Sequence, residues 1–407
     1  MPLFDENDFT YNAADHAYAR TDSYVFAQII PYIGSKRKLL PLVLHAIERT
    51  GVRPGATFAD LFAGSGVVSR MAKAMGYRVV ANDWEPYAEV INGAFIGLNT
   101  PPMPESVFDE LNELCPVAGF ITQNYCPGDD ENPQVDRERL YYTHANGQRI
   151  DAIRSHIAAW EESGAITLEQ QRYLLAPLLS ASCYVSNTSG VFKAYHAGWG
   201  GKTATALYRI LSPLKLSPPP LIDNGFENVV TRLDAMKLAS SLDAITASSC
   251  DIAYLDPPYN QHPYGSNYHL LNTIALYDKP EVPDIHVGKS AIRTDWRSLR
   301  RSAFNCTATA LPALLDIVDA LPCRWVLLSY STDGNIPISE LTKSLADRGR
   351  LWVETHRYKR YRVSAQRMSA QSHNVEFVLI LDRDAKPDQK ACRACRRLID
   401  AAARKHG

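Results

Sequence analysis

One stretch, residues 57–83, constrains the fold of this 407-residue chain more than any other. An apolar run from Thr57 to Leu61 ends in DLFAGSG, helical spacing continues to Gly76, and a second apolar run, YRVVAND, follows. Strand, glycine-rich turn, helix and strand in this order predict two parallel strands joined by a helix. Similar patterns recur in NVVTRLD, DIAYLD, RWVLLSYS, LWVETHRY and VEFVLIL. They predict an α/β fold with a doubly wound, mostly parallel sheet, whose last two strands pair as a hairpin.

This alternation of strands and helices stops between Asn99 and about residue 220, where NTPPMPES, NYCPGDDENP and SPPP break the chain. The segment predicts a mainly helical insertion, with a helix over residues 151–162, that projects from the sheet edge. The predicted division is therefore an N-terminal arm (1–24), a discontinuous sheet domain (25–99 and 225–385), the insertion (100–224) and a basic tail (386–407).

The strand DIAYL stops abruptly at Asp256, Pro257, Pro258 and Tyr259. A central strand cannot continue through two prolines, because each lacks an N–H and has a fixed φ. The carboxylate and the aromatic ring are thus expected just beyond the strand end, where open α/β sheets bind their ligands. An isolated Asp-Pro-Pro is more often a sharp turn, so the interpretation needs a second motif.

The glycine turn provides that motif. Gly64 and Gly66 let the backbone approach a ligand closely and direct a helix N-terminus towards it. Asp83 follows Asp60 by 23 positions, at the end of the next strand, where a carboxylate can accept hydrogen bonds from ribose hydroxyls. The pattern indicates a nucleoside cofactor. A nicotinamide dinucleotide also fits, but it gives Asp256 and its neighbours no role, and the third glycine of GxGxxG is absent.

Upstream, PYIGSKRKLLPLV begins at Pro31 and places Lys36 at the start of a helix. Cations are disfavoured at that end by the helix dipole. We therefore expect Lys36 to meet a carboxylate or a phosphate; the alternative is an exposed basic helix end.

Composition adds weaker constraints. The net charge is −1 and 46% of the residues are apolar, which is ordinary for a globular protein and gives no overall attraction to polyanions. Basic clusters at residues 293–301 and 356–367 and in the tail fit either a phosphate-binding surface or solvated faces. The N-terminus lacks an apolar segment, and eight dispersed cysteines fit a reducing compartment, so we expect a cytoplasmic protein. The lone pair Cys392 and Cys395 does not predict zinc.

In order and spacing, these motifs resemble the alpha-type, Dam-like N6-adenine DNA methyltransferases: a Y/W-x-G-x-K segment, an FxGxG turn, a recognition insertion and DPPY. The resemblance covers about residues 32–83 and the chain from residue 251 onward. Tyr32 stands where many members have tryptophan, and SNTSGVFKAYHAGWGGK is only loosely similar to the family's Asn-Gly-aromatic loop. A Rossmann-like methyltransferase fold, S-adenosylmethionine as cofactor and double-stranded DNA as substrate are implied.

The resemblance also implies roles for individual residues. The Asp256 carboxylate and Pro257 carbonyl would accept hydrogen bonds from an adenine amine, the prolines would hold them rigidly, and Tyr259 would stack on a flipped-out base. No metal is implied. The predicted catalytic set is Asp256, Pro257, Pro258 and Tyr259, and the predicted cofactor-binding set is Tyr32, Gly34, Lys36, Asp60, Phe62, Gly64, Gly66, Asp83, Asp234 and Asp256. An ordinary helix N-cap is an equally good interpretation of Asp234.

Other functions stay open at this point. Methylation of cytosine N4 or of adenine in RNA uses similar chemistry, although Asp rather than Ser at position 256 favours adenine; a DNA-binding protein without catalysis is more remote. Asn267 and His269 are candidates for substrate contact, although polar residues at a helix N-terminus are commoner. We expect the insertion, with residues 293–301, to choose the target sequence. A cognate restriction endonuclease is a candidate partner, and a monomer or weak dimer is expected.

Overall fold

The computed structural model describes residues 23–246, 249–259, 263–293, 302–359 and 373–404. Its centre is a seven-stranded sheet with the spatial order β3-β2-β1-β4-β5-β7-β6. The strands are β1 (Thr57–Asp60), β2 (Arg78–Asn82), β3 (Val229–Thr231), β4 (Ile252–Leu255), β5 (Trp325–Ser331), β6 (Arg350–Lys359) and β7 (His373–Asp382).

Strands β1 to β5 pair in parallel, and β7 lies antiparallel between β5 and β6. Every strand predicted from the sequence is present, and the predicted pairing of the last two strands is confirmed. Parallel strands end at one edge of the sheet. That edge therefore carries Asp60 at the end of β1, Asp83 just after β2 and Asp256 just after β4. The two predicted motifs therefore meet at the edge where ligands bind in such folds.

Helices cover both faces of the sheet. Among the described residues, the α-helices with both ends defined are α1 (Leu40–Thr50), α2 (Val67–Ala74), α3 (Pro86–Asn92), α4 (Val107–Glu113), α5 (Phe120–Tyr125), α6 (His144–Glu162), α7 (Leu168–Tyr184), α8 (Leu207–Ile210), α9 (Ala235–Thr246), α10 (Tyr264–Asn267), α11 (His269–Leu276), α12 (Thr307–Ala320), α13 (Ile338–Ala346) and α14 (Gln389–Arg404). In β4, Tyr254 joins one apolar core while Leu255 joins the other. Such two-sided burial explains why the strands read as continuous apolar runs.

The segment from 100 to 224 contains helices and no strand, as predicted. The helix predicted over residues 151–162 begins earlier, at His144, because the Thr143 hydroxyl caps it by accepting a hydrogen bond from the Asn146 N–H at 3.1 Å. The prediction that the segment projects from the sheet edge is wrong for α7. Its Leu174 and Leu178 are fully buried in the same core as α3. The reason is that α7 carries apolar side chains on more than one of its faces, so it packs inside the core.

The predicted basic tail is an amphipathic helix, α14, rather than a free segment. Cys392, Cys395 and Ile399 lie on its inner face and are buried in the second core, next to β6 and α13. The spacing of three and four residues puts them on one side of a helix, so the two cysteines pack as small apolar side chains. The arginines of α14 occupy the exposed side.

Candidate active site

The glycine turn after β1 is closely packed. Gly64 and Gly66 have φ of +53° and +75°, and Gly66 caps α2 in the left-handed conformation. A Cβ at Gly64 would lie 2.7 Å from the Tyr32 ring, and one at Gly66 would lie 2.1 Å from Asn92 Oδ1. Neither position accepts a side chain, so both the backbone conformation and the space require glycine.

Asp60 stabilises this turn through hydrogen bonds. Its carboxylate accepts hydrogen bonds from the Ser69 hydroxyl at 2.8 Å and from the Phe62 N–H at 3.3 Å, and the side chain is 1% exposed. Burial raises the pKa of Asp60 to about 7, although the Ser69 hydrogen bond opposes that rise. Asp60 lines neither of the two cavities described below. Direct contact with a cofactor stays a prediction; the observed contacts are those of a residue that positions the turn.

Asp83 connects the turn to β2. It accepts hydrogen bonds from the Gly64 N–H at 2.8 Å and the Glu85 N–H at 2.9 Å. Burial raises the pKa of this carboxyl group, while the backbone donors act in the opposite direction. Asp83 thus fixes Gly64 and also reaches a cavity wall.

Lys36 has the anionic partner that its position predicts. It begins a 3₁₀ helix, Lys36–Leu39, and its Nζ lies 2.9 Å from Asp256 Oδ1, 5.2 Å from the centre of the Tyr259 ring and 3.3 Å from the Gly34 carbonyl oxygen. The Lys36 side chain is 3% exposed. Burial alone would lower the pKa of Lys36, but Asp256 holds it well above its ordinary value. In turn, burial raises the pKa of Asp256 and Lys36 opposes that rise.

Two adjacent cavities lie beside this ion pair. The aspartate-side cavity, of about 300 Å³, is lined by Phe62, Asp83, Trp84, Asp234, Asp256, Pro257, Pro258 and Tyr259 among others. The lysine-side cavity, of about 290 Å³, is lined by Ser65, Arg70 and Glu376 among others. Tyr32, Gly34, Lys36 and Tyr259 line both. The residues predicted as catalytic and most of those predicted to bind the cofactor therefore line two adjacent cavities.

The sequence of this chain matches a known protein family. A model of the D12 class N6 adenine-specific DNA methyltransferases matches residues 32–292, a range that contains the glycine turn, the insertion and the Asp256 motif. The chain belongs to this family. It is thus an adenine-specific DNA methyltransferase with the Rossmann-like fold expected of that activity, which confirms the resemblance drawn from the motifs.

Relatives support the same assignment. The chain is 31% identical to Type II methyltransferase M.NlaIII of Neisseria lactamica over 86% of its own length and 99% of that protein. It is 31% identical to Type II methyltransferase M.FokI of Planomicrobium okeanokoites, of which it spans 52%, and 28% identical to Type II methyltransferase M.CviAII of Paramecium bursaria Chlorella virus 1, of which it spans 97%. No helix in the described ranges has the length and apolarity to cross a lipid bilayer.

The sequence interpretation missed an aromatic cluster in the methyltransferase. The ring centre of Tyr32 lies 5.3 Å from those of Tyr264 and Tyr268, which are 6.2 Å from each other, so the three rings form a triangle. Tyr268 accepts a hydrogen bond from the Ile33 N–H at 2.8 Å, and Tyr264 donates to the Ile33 carbonyl at 3.0 Å. The Lys36 segment is thereby attached to the chain that follows Asp256. Two tyrosines four residues apart, in YGSNY, were the available signal.

Asp234 fits both of its interpretations. Its Oδ1 accepts a hydrogen bond from the Met236 N–H at 2.9 Å at the start of α9, and the residue also lines the aspartate-side cavity. A helix cap of this kind fixes the carboxylate in place. Its contact with the cofactor stays a prediction.

Asn267 and His269 hold the insertion rather than lining either cavity. The Asn267 carbonyl accepts a hydrogen bond from the Phe192 N–H at 2.7 Å, and His269 Nε2 lies 2.8 Å from the Phe192 carbonyl oxygen, for which it is the donor. Burial lowers the pKa of His269 to about 4, so the ring is neutral at physiological pH. Both residues therefore dock the loop SNTSGVFKAYHAGWGGK on the methyltransferase domain.

Two of the three basic clusters noted in the sequence lie largely outside the described residues. Arg297, Arg300 and Arg301 belong to the range 294–301, and most of the second cluster belongs to the range 360–372. Arg293 is described and forms an ion pair with Asp278. A DNA-binding role for these clusters stays a prediction.

Proposed function

We propose that this methyltransferase moves the methyl group of S-adenosylmethionine to the N6 amine of an adenine that has been rotated out of duplex DNA at a specific sequence. One observation carries the proposal: Asp256, Pro257 and Tyr259 line the same cavity of about 300 Å³ as Asp83 and Asp234. A reacting amine and a nucleoside cofactor need such adjacent sites, because in-line transfer requires both within bonding reach.

The residues present fit S-adenosylmethionine. Asp83 and Asp234 are fixed acceptors suited to ribose hydroxyls and an adenine amine, and Phe62 and Trp84 offer aromatic surface beside them. Tyr32, whose ring packs closely against Gly64, adds a further aromatic wall. When bound, the cofactor supplies a methyl group activated by a sulfonium. Aromatic and carboxylate walls of this kind favour a cation.

The catalytic role proposed for Asp256 is to accept a hydrogen bond. An adenine amine is a poor nucleophile, because its lone pair is delocalised into the ring. With one hydrogen bond to the Asp256 carboxylate and one to the Pro257 carbonyl, the amine nitrogen moves towards tetrahedral geometry and its lone pair becomes available. Lys36, 2.9 Å from Asp256 Oδ1, favours the ionised form of this carboxylate, which is the form that accepts a hydrogen bond. The carboxylate can therefore serve the amine, and the product loses its proton to solvent.

Base flipping follows from the depth of the site. Asp256 lies in a cavity that an adenine stacked in a duplex cannot reach, so the base must leave the helix. Tyr259 offers a ring to replace lost stacking, an effect of about 1–3 kcal/mol. Its ring contacts Tyr330 edge to face, with centres 5.6 Å apart, and this contact orients it.

In this proposal the insertion (100–224) and residues 293–301 recognise the target DNA sequence. The sheet domain carries out methyl transfer. Docking of Phe192 against Asn267 and His269 supports this division, because it holds the insertion loop close to the segment after Asp256. The names of the relatives suggest a restriction-modification system with a cognate endonuclease. We further propose a monomer or weak dimer, and a cytoplasmic location because the substrate is cellular DNA.

The test is the identity of the product. Purified protein is incubated with S-adenosylmethionine labelled in the methyl group and, separately, with duplex DNA and RNA, and the nucleosides are analysed by mass spectrometry. We expect N6-methyladenine in DNA, confined to one short sequence when the DNA is sequenced for methylation. N4-methylcytosine, or label in RNA alone, would overturn the proposal.

A further inference from the structure

Three acidic residues lie along the active-site edge of the sheet. Asp60 ends β1, Asp256 follows β4, and Glu376 lies on β7 directly opposite Ser331 of β5. Glu376 lies in the predicted strand VEFVLIL, but the sequence indicated no role for its side chain. It lines the lysine-side cavity together with Lys36 and Tyr259.

The Glu376 carboxylate is incompletely satisfied. Its Oε2 is buried and accepts no hydrogen bond from any residue that the structure describes. Burial raises the pKa of Glu376, and the nearby Lys36 cation opposes that rise. A buried carboxylate oxygen without a hydrogen-bond donor lowers the stability of the folded protein. A ligand that donates a hydrogen bond to this oxygen removes that penalty.

The charges around the cavity indicate which donor fits. Lys36 forms an ion pair with Asp256 at 2.9 Å, so a single ammonium group lies near two carboxylates, Asp256 and Glu376. Arg70 also lines this cavity, and its guanidinium donates to the Tyr24 and Ala27 carbonyls. The wall thus presents both a carboxylate and cations, which suits a zwitterionic α-amino acid group.

We propose that Glu376 is a cofactor-binding residue whose free carboxylate oxygen accepts a hydrogen bond from the α-ammonium group of the methyl donor. The inference rests on the proposed use of S-adenosylmethionine. Asp83 and Asp234 place the adenosine end in one cavity, and the lining residues Tyr32, Gly34 and Lys36 shared by both cavities lead to the other. The second cavity is thus adjacent to the first, and a cofactor longer than the first cavity would extend its amino acid end towards Glu376.

The experiment compares ligands that differ at the amino acid end. Calorimetry on the full chain measures binding of S-adenosylhomocysteine, of decarboxylated S-adenosylmethionine, which keeps the ammonium, and of 5′-methylthioadenosine, which lacks the whole amino acid end. The variants are Glu376→Ala and Glu376→Gln. The matched control is Glu354→Gln, because Glu354 lies on β6 opposite Val378, on the same face of the sheet, and pairs with Arg49 outside the cavity.

We expect Glu376→Ala to weaken binding of the two ammonium-bearing ligands by about tenfold or more, the usual effect of losing a hydrogen bond between charged groups. Binding of 5′-methylthioadenosine should change by less than about twofold, and Glu354→Gln should leave all three affinities unchanged. Equal losses for all three ligands, or no loss for the ammonium-bearing pair, would overturn the assignment. A wild-type chain that binds none of them would overturn the proposed function and this inference together.

Discussion

Lys36 Nζ lies 2.9 Å from Asp256 Oδ1, in a pair whose side chains are 3% and 17% exposed. The contact joins the Gly34-Ser35 turn to the end of β4, two parts of the chain far apart in sequence. Burial favours the neutral form of Asp256, and Lys36 favours the ionised form. Lys36 therefore opposes protonation of the proposed amine acceptor.

The first prediction concerns pH. If methyl transfer needs ionised Asp256, activity falls as the pH drops through the pKa of this carboxyl group. Lys36→Met removes the cation that lowers this pKa, so the acidic limb of the kcat/KM profile should move to higher pH. Lys36→Arg keeps a cation and should move it less. An acidic limb unchanged in Lys36→Met would show that the pair does not set the charge of Asp256.

The second prediction tests the role of Asp256 directly. Asp256→Ala should remove methyl transfer from labelled cofactor to DNA while the fold, followed by circular dichroism, is kept. The reason is that the lost hydrogen bond acts on the reacting amine. Residual activity within about tenfold of wild type, roughly 1.4 kcal/mol of barrier, would contradict the assignment.

The third prediction concerns the ribose assignment of Asp83. Asp83→Ala should lower the affinity for S-adenosylhomocysteine in calorimetry, because it removes both a candidate ribose acceptor and the acceptor of the Gly64 N–H. Asp60→Asn is the control, since Asp60 also supports the turn but lines neither cavity. Unchanged affinity in Asp83→Ala would exclude the ribose contact.

The same Asp60→Asn variant gives a fourth prediction, on stability. Burial raises the pKa of Asp60 to about 7 in the folded state, whereas the unfolded value is about 3.9. The folded state therefore prefers the protonated form. The contribution of Asp60 to stability is fully present below about pH 4 and is lost as the pH rises to about 7. In urea denaturation at about pH 5 and 8, the free energy of unfolding should fall by less in Asp60→Asn than in wild type. An equal fall would contradict the raised pKa.

The fifth prediction separates recognition from chemistry. Lys193 and Lys202 are exposed in the insertion loop, so replacing both with alanine should change or abolish the methylated sequence without affecting cofactor binding. Lys215→Ala, an exposed lysine elsewhere in the insertion, is the matched control. If the same bases are methylated at the same relative rates, recognition lies elsewhere.

The ends of the strands were predictable because two strong local signals coincide there. At Asp60, Asp83 and Asp256, an apolar run stops at glycine, proline or a carboxylate, and parallel topology then brings the three ends to one edge. The loss of the alternating strand and helix patterns between Asn99 and about residue 220 also predicted the mainly helical insertion.

What the sequence could not indicate depends on contacts between distant segments. Glu376 reaches the site only because β7 enters antiparallel beside β5, which places it opposite Ser331. The burial of Asp60 beneath its turn follows from packing against Ser69. In the same way, α7 joins the main core through tertiary contacts that no local pattern contains.

The pairing of β2 with β3 has a consequence for how the chain folds. Val80 pairs with Val229, so the whole insertion is the loop that closes between two neighbouring strands. The entropic cost of closing a loop grows only as about (3/2)RT ln n, so this length adds little to the equilibrium cost, but the pairing gives a high contact order and slows folding. During synthesis, β3 leaves the ribosome only after the insertion. The insertion can therefore collapse before the sheet gains its outer strand, and the nascent chain exposes the β2 edge until then.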